Sequence, residues 1–200
     1  MTVSVGQPRA SDVVGLGYTR TIDRRTVHRQ AVAEVFLTDQ RQAGELAVVA
    51  AAQLPLSHSY YSDHLHEPER YDTLLLLEAC RQAGIAGGHM LGLPPGTIML
   101  VSSFGIRVTD TTALLVGGKP AEMLIDSTFA ATRVRGDQVR SGEVSQEFSI
   151  DGHVAGSHQM AVTFLTEREH AALRRMQRHT TPPITTSLPD VVPPGQVAPP

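Results

Sequence analysis

The stretch Tyr71-Asp72-Thr73-Leu74-Leu75-Leu76-Leu77-Glu78-Ala79-Cys80-Arg81-Gln82 decides the fold, because it sets a carboxylate and a guanidinium inside an otherwise apolar helix. The four leucines, with Ala79, Cys80, Ala83 and Ile85, leave almost no polar side to present to water. A helix apolar on nearly every side is a buried one. Glu78 and Arg81 are three positions apart and share a helical face. Charges are buried only when they are paired or needed for chemistry, so this pair is the first candidate for function. Asp72 suits the N-cap, and Gly84, Gly87 and Gly88 read as stop signals.

Upstream of the helix, the polar segment 53–69 reads as a loop; between Pro55 and Pro68 it holds His58, Tyr60, Tyr61, Asp63, His64 and His66. Before that, 27–37 places Val27, Ala31, Ala33, Val35 and Leu37 on one face of an extended segment, and 46–54 is a second apolar run. Both read as strands. Downstream of Pro94 and Pro95, the segments 97–108, 123–134, 139–150 and 153–165 are rich in β-branched and apolar residues and read as four more. Arg135-Gly136-Asp137 and Asp151-Gly152 mark hairpins between the last three, which makes the sheet antiparallel. Thr166 and Glu169 form a capping box for a short helix ending near His179. Residues 1–17 read as a flexible N-terminal arm. Residues 180–200 gather seven of the 13 prolines and are expected to be extended or disordered, which leaves 18–179 as the folded domain.

Two strands, one long apolar helix and four more strands make an α+β chain. One curved antiparallel sheet of about six strands wrapped around the helix buries it, and that is the hotdog fold. A lone copy leaves an open sheet edge and an incompletely covered helix, so a homodimer paired as a double hotdog is expected.

With 200 residues, 41% hydrophobic and 18% charged, the chain can bury one good core. The net charge of -3, without a basic block, argues against nucleic acid or an anionic membrane surface as partner. No apolar run approaches the ~20 residues that span a bilayer, and residues 1–14 lack the basic and apolar regions of a signal peptide. A cytoplasmic protein is expected. The single cysteine, Cys80, reads as a core thiol in a reducing compartment. There is no Gly-x-Ser-x-Gly elbow, Gly15-Leu16-Gly17 lacks a third glycine, and Gly117-Gly118-Lys119 lacks the P-loop spacing. His64-Leu65-His66 with Asp63 and Glu67 reads as solvated loop charge, and His28, His89 and His158 as solvated histidines. Neither metal nor cofactor is expected.

The segments Val27-His28-Arg29, Glu34-Val35-Phe36-Leu37-Thr38-Asp39, Ala52-Gln53-Leu54-Pro55, His58-Ser59-Tyr60-Tyr61-Ser62-Asp63 and Tyr71-Asp72, followed by Glu78-Ala79 and Arg81-Gln82-Ala83-Gly84, occur in an order that resembles the A-factor biosynthesis hotdog family, the γ-butyrolactone synthases. The resemblance is strongest across 27–88. It implies transfer of a β-ketoacyl group from an acyl-carrier-protein thioester to a hydroxyl of dihydroxyacetone phosphate, on the way to a signalling butyrolactone. Family members with that activity typically carry two repeats, each with a Glu-x-x-Arg helix, and this chain has one. Either a homodimer restores the pair, or the chain is a specialised or inactive relative.

Acyl transfer to an alcohol needs a base, donors for the tetrahedral oxyanion and, for a phosphorylated acceptor, a cation. Glu78 is the candidate base, with a protonation state that burial and Arg81 push in opposite directions. Arg81 is the candidate phosphate ligand. The helix N-terminus at Asp72 offers amides to the thioester carbonyl. Tyr60 and Tyr61 are candidates to line an acyl tunnel, with Asp63 in the binding set. His64 stands 14 positions before Glu78, a spacing that resembles the loop histidine and helix carboxylate of hotdog β-hydroxyacyl-carrier-protein dehydratases. His58 is an equal candidate. Two alternatives therefore stay open: a hotdog dehydratase or thioesterase acting on a carrier-protein or CoA thioester, and a noncatalytic single-repeat protein that binds an acyl chain or a partner.

Overall fold

The computed structural model describes residues 15–62 and 68–178. Most of the expected arm, the loop residues Asp63 and His64, and the proline-rich tail lie outside the described residues.

The elements follow the order β1 (Leu37–Gly44), β2 (Ala47–Leu54), α1 (Thr73–Met90), β3 (Ile98–Val108), β4 (Ala121–Arg135), β5 (Gln138–Ile150), β6 (His153–Leu165) and α2 (Glu167–Gln177). The strands form one six-stranded sheet in the order β1-β2-β4-β5-β6-β3, antiparallel throughout. α1 lies against this sheet, and Leu75, Leu76, Ala79, Cys80, Ala83 and Ala86 join Leu54, Met123, Ile125 and Phe148 in the main core. This is the hotdog fold that the helix demanded. No helix among the described residues is long and apolar enough to cross a membrane.

Asp72 caps α1 by accepting from the Leu74 amide at 2.7 Å. Removing such a cap costs about 1 kcal/mol, so Asp72→Ala should lower the free energy of unfolding by that amount, read as a lower urea midpoint with an unchanged slope of the transition. Asp151 and Gly152, at φ 47° and 82°, make the left-handed two-residue turn between β5 and β6. The capping box of α2 is also in place, with Thr166 Oγ1 and the Glu169 side chain each satisfying the other's amide.

Two elements depart from expectation. Residues 27–37 are not a strand: two 3₁₀ turns, Arg24–Val27 and Val32–Glu34, precede β1. Asp23 accepts from the Arg25 amide at 2.9 Å and turns the chain, while Val27, Val35 and Leu37 are buried without any regular alternation. The first strand instead runs through the polar residues Thr38–Gln42, because β1 is a sheet edge with one side in water. The helix also does not stop at its glycines but continues to Met90, ending before Gly92 at φ 103°. The glycines are contact points. A Cβ on Gly84 would lie 2.7 Å from Met160 Cε, one on Gly87 2.5 Å from Phe129 Cζ, and one on Gly88 2.8 Å from Leu93 Cδ1.

Candidate active site

Glu78 sits in the second turn of α1 and is only 6% exposed, which tests whether its charge is compensated. It is. Arg81 donates from Nε to Oε2 at 2.7 Å and from Nη2 to Oε1 at 2.8 Å. Gln82, one turn further along the helix, donates from Nε2 to Oε1 at 2.8 Å. The third donor comes from outside the helix: Arg29 Nε reaches Glu78 Oε1 at 3.0 Å, with its Nη2 also in contact. Burial raises the pKa of Glu78, but the bonds and charge of Arg81, then Arg29 and Gln82, outweigh it and hold the carboxyl below its usual value. Glu78 is therefore ionised at neutral pH.

Gln82 fixes this arrangement to the rest of the fold. Its Oε1 accepts from the Phe36 amide at 3.0 Å and its Nε2 donates to the Glu34 carbonyl at 2.7 Å, so the segment carrying Arg29 is tied to α1. Arg29 Nη1 also lies 3.5 Å from Glu34 Oε2 at the exposed edge.

The loop aromatics close one side. Tyr61 packs edge-on against Phe36 at 6.0 Å and against Tyr60 at 5.0 Å between ring centroids, and its phenol pKa is raised by burial and by the Glu78 charge. Tyr60 itself is 62% exposed. His58 lies 4.8 Å from Tyr61, and its Nδ1 accepts from the Tyr60 and Tyr61 amides at 3.2 and 3.4 Å. A neutral His58 therefore carries its proton on Nε2 and offers a donor rather than a base. Asp72 is occupied as the helix cap.

α1 shows an open stripe, Leu74, Leu77 and Arg81, in which Leu74 is 49% exposed. Val101 and Phe104 of β3 pair with the buried Val162 and Met160, so they face the helix side of the sheet, yet both are substantially exposed. At the far end of α1 a cleft of about 1020 Å³ opens, lined by Leu46, Gly88, Leu93, Phe129, Val144 and Phe164 among others. Among the described residues no three His, Cys, Asp or Glu side chains come together as metal ligands would. Cys80 is buried and its thiol pKa is pushed far up by burial, which makes it inert packing.

Sequence reasoning missed Arg29 and Gln82 as site residues. Gln82 was legible in principle, because position i+4 shares the face of Glu78. Arg29 stands 49 residues away and had no signal beyond its place in the resembling motif. One histidine differs from expectation. His158 is 1% exposed on β6, bonds Gln146 Oε1 at 2.7 Å through Nδ1, and has its pKa lowered to about 4 by burial. His28 is exposed, as expected, and its Nε2 lies 2.9 Å from His89 Nε2.

The pattern of the A-factor biosynthesis hotdog domain matches residues 14–166. A 2-oxo-3-(phosphooxy)propyl 3-oxoalkanoate synthase from Streptomyces virginiae is 36% identical over 121 residues, which cover 59% of this chain and 39% of the relative. The chain thus spans well under half of that relative's length. Among solved structures, the dehydratase heterocomplex ApeI:P from Xenorhabdus doucetiae aligns over 78% of this chain and 99% of its own, at 13% identity and a TM-score of 0.56. A thioesterase superfamily member from Thermus thermophilus aligns over 66% and 89%, at 15% identity and a TM-score of 0.49. The domain pattern covers well over half of the chain and runs from before the first 3₁₀ turn to the end of β6, so this protein belongs to the A-factor biosynthesis hotdog family.

Proposed function

We propose that the protein is an acyltransferase of butyrolactone-type signal biosynthesis, moving a β-ketoacyl group from an acyl-carrier-protein thioester to a hydroxyl of dihydroxyacetone phosphate. The observation that carries this reading is the buried Glu78 held ionised between Arg29 and Arg81, in a chain whose relative is named for a phosphooxypropyl ester. The acceptor hydroxyl attacks the thioester carbonyl carbon while its proton passes to a Glu78 oxygen. The guanidiniums stabilise the oxyanion that forms. The tetrahedral intermediate then expels the carrier thiolate, which takes the proton back from Glu78, leaving an ester and a free thiol. The low pKa of Glu78 keeps it ready to accept but weakens it as a base. Catalysis on this reading leans on the cations.

The apolar cleft beyond Gly88 supports an acyl substrate. The open stripe of α1 and the exposed helix-facing residues of β3 support a homodimer that covers them, which would set two copies of Glu78 and Arg81 in one assembly. His64 and Asp63 remain candidates from the loop.

Incubation with a β-ketoacyl carrier protein and dihydroxyacetone phosphate should yield a phosphorylated ester by mass spectrometry. Free acid released without acceptor would replace this reading with thioesterase chemistry. An acyl carrier left unchanged would point to the noncatalytic acyl-binding protein.

A further inference from the structure

We propose that His158 pairs with the oxygen substituent on C3 of the acyl chain, and so makes the protein selective for 3-oxygenated over plain acyl groups. For the acyl substrate the proposal rests on the transferase reading. Ser127 of β4, Gln146 of β5 and His158 of β6 stand side by side in one row of the sheet, each paired in register with the next. All three are buried. Gln146 Nε2 lies 2.9 Å from Ser127 Oγ, and His158 Nδ1 lies 2.7 Å from Gln146 Oε1. The row runs beneath α1, because a Cβ on Gly84 would stand 3.9 Å from Gln146 Nε2. Gly84 is one turn beyond Arg81 on the same helical face.

The row ends in an orphan. His158 is 1% exposed, and its Nε2 has no hydrogen-bond partner among the described residues. A buried polar atom without a partner costs free energy that a ligand recovers by bonding it. The two nitrogens of an imidazole point to opposite sides of the ring, so with Nδ1 on Gln146 of β5 the free Nε2 faces away from β5, toward the neighbouring strand β3. On that side Ile106 opposes His158 in the ladder, and the Phe104 ring lies 6.4 Å away between centroids. Phe104 is 48% exposed on the edge strand of the sheet, where it is free to turn aside for a ligand.

An acyl chain held at its thioester by the Glu78 cluster has one polar atom left, the oxygen on C3, and Nε2 is the buried polar atom that the row leaves to meet it. The row serves either form of that oxygen. The Ser127 hydroxyl both donates and accepts, and the Gln146 amide turns over without moving its heavy atoms, so the row runs in both directions. With the amide nitrogen on Nδ1, Nε2 carries the proton and donates to a 3-oxo oxygen. With the amide oxygen on Nδ1, Nε2 accepts from a 3-hydroxyl. Burial lowers the pKa of His158 to about 4, so the ring is neutral at physiological pH and presents one of these two forms rather than a cation. A saturated chain leaves Nε2 unpaired.

Three amide analogues of acyl-pantetheine with one chain length, 3-oxo, 3-hydroxy and saturated, test this without any transfer step. With the full chain, the two oxygenated amides should each bind about tenfold tighter than the saturated one, and each should shift the Nε2 resonance of His158. His158→Phe should weaken the two oxygenated ligands to the level of the saturated amide, whose own affinity should stay unchanged, with unchanged far-UV circular dichroism. The resonance shift is read in the wild-type chain, so the proposal stays testable if His158→Phe does not fold. Equal affinities for the three amides in the wild type, an unmoved Nε2 resonance, or a preference that survives in His158→Phe overturns the proposal. Failure here is separable from failure of the reaction. Ester formed at equal kcat/KM from 3-oxo and saturated donors removes the role of His158 but spares the transferase. Tighter binding of the oxygenated amides, with no ester from any donor, does the reverse.

Discussion

Glu78→Ala should lower the free energy of unfolding by roughly 3–5 kcal/mol and abolish ester formation. The stability loss is that of breaking a buried ion pair by deleting one partner, which leaves the other charge uncompensated. Here two cations are affected at once, because Arg81 loses its carboxylate, Arg29 keeps only the exposed Glu34, and Gln82 Nε2 keeps only the Glu34 carbonyl. Glu78→Gln keeps the shape and one acceptor oxygen, and separates charge from packing. Since the folded pKa of Glu78 is depressed, its contribution to stability is fully present above the unfolded value of about 4.3 and is lost as pH falls through the folded value. The stability gap between wild type and Glu78→Gln should therefore close on acidification below about pH 4, as measured by urea denaturation across pH. A gap that stayed constant would mean that Glu78 has the same pKa in the folded and unfolded states, and one that widened on acidification would mean that its folded pKa is raised.

Gly156→Ala is expected to be nearly as damaging, although it lies on a strand far from any titratable cluster. A methyl there would fall well inside van der Waals contact of the Arg107 carbonyl oxygen on β3 and 2.7 Å from Phe148 Cζ in the core. The first obstacle is backbone, which cannot rotate away as a side chain does. β3 would have to separate from β6 at the end of their ladder, where Val108 pairs with Gly156. Overpacking of this kind costs roughly 1–3 kcal/mol or more. Thermal unfolding should show a fall of several degrees, and hydrogen exchange should show β3 amides losing protection before those of β4 and β5. Gly105 on the same edge has open space at its Cβ position, so Gly105→Ala serves as the near-neutral control.

Much of the fold was legible because its local signals agree with the global structure. Asp72, the Thr166 and Glu169 box, and the Asp151-Gly152 turn each satisfy specific backbone groups, and chemistry of that kind is written in two to four adjacent residues. The apolar helix was legible from composition alone. What failed depended on partners distant in sequence. The polar edge strand β1 has no apolar alternation to read, and Gly84, Gly87 and Gly88 announce an ending that Met160, Phe129 and Leu93 cancel by needing the space. In the site, the i, i+3 pair of Glu78 and Arg81 was visible and the incoming Arg29 was not, because a 3₁₀ turn and the Gln82 bond to Phe36 deliver it. Conformations of that sort leave no periodic trace.

The same glycines carry a consequence for how the chain folds. Relative to alanine, each glycine inside a helix costs about 1 kcal/mol of propensity, and α1 holds three of them in its last seven residues. The second half of α1 therefore has little tendency to form by itself, however apolar it is. Its helicity must follow the arrival of Met160, Phe129 and Leu93, two of which belong to strands remote in the chain. The second half of α1 is thus expected to form late in folding, and the rate at which β4, β5 and β6 find one another to set the pace at which the helix that carries Glu78 and Arg81 is completed.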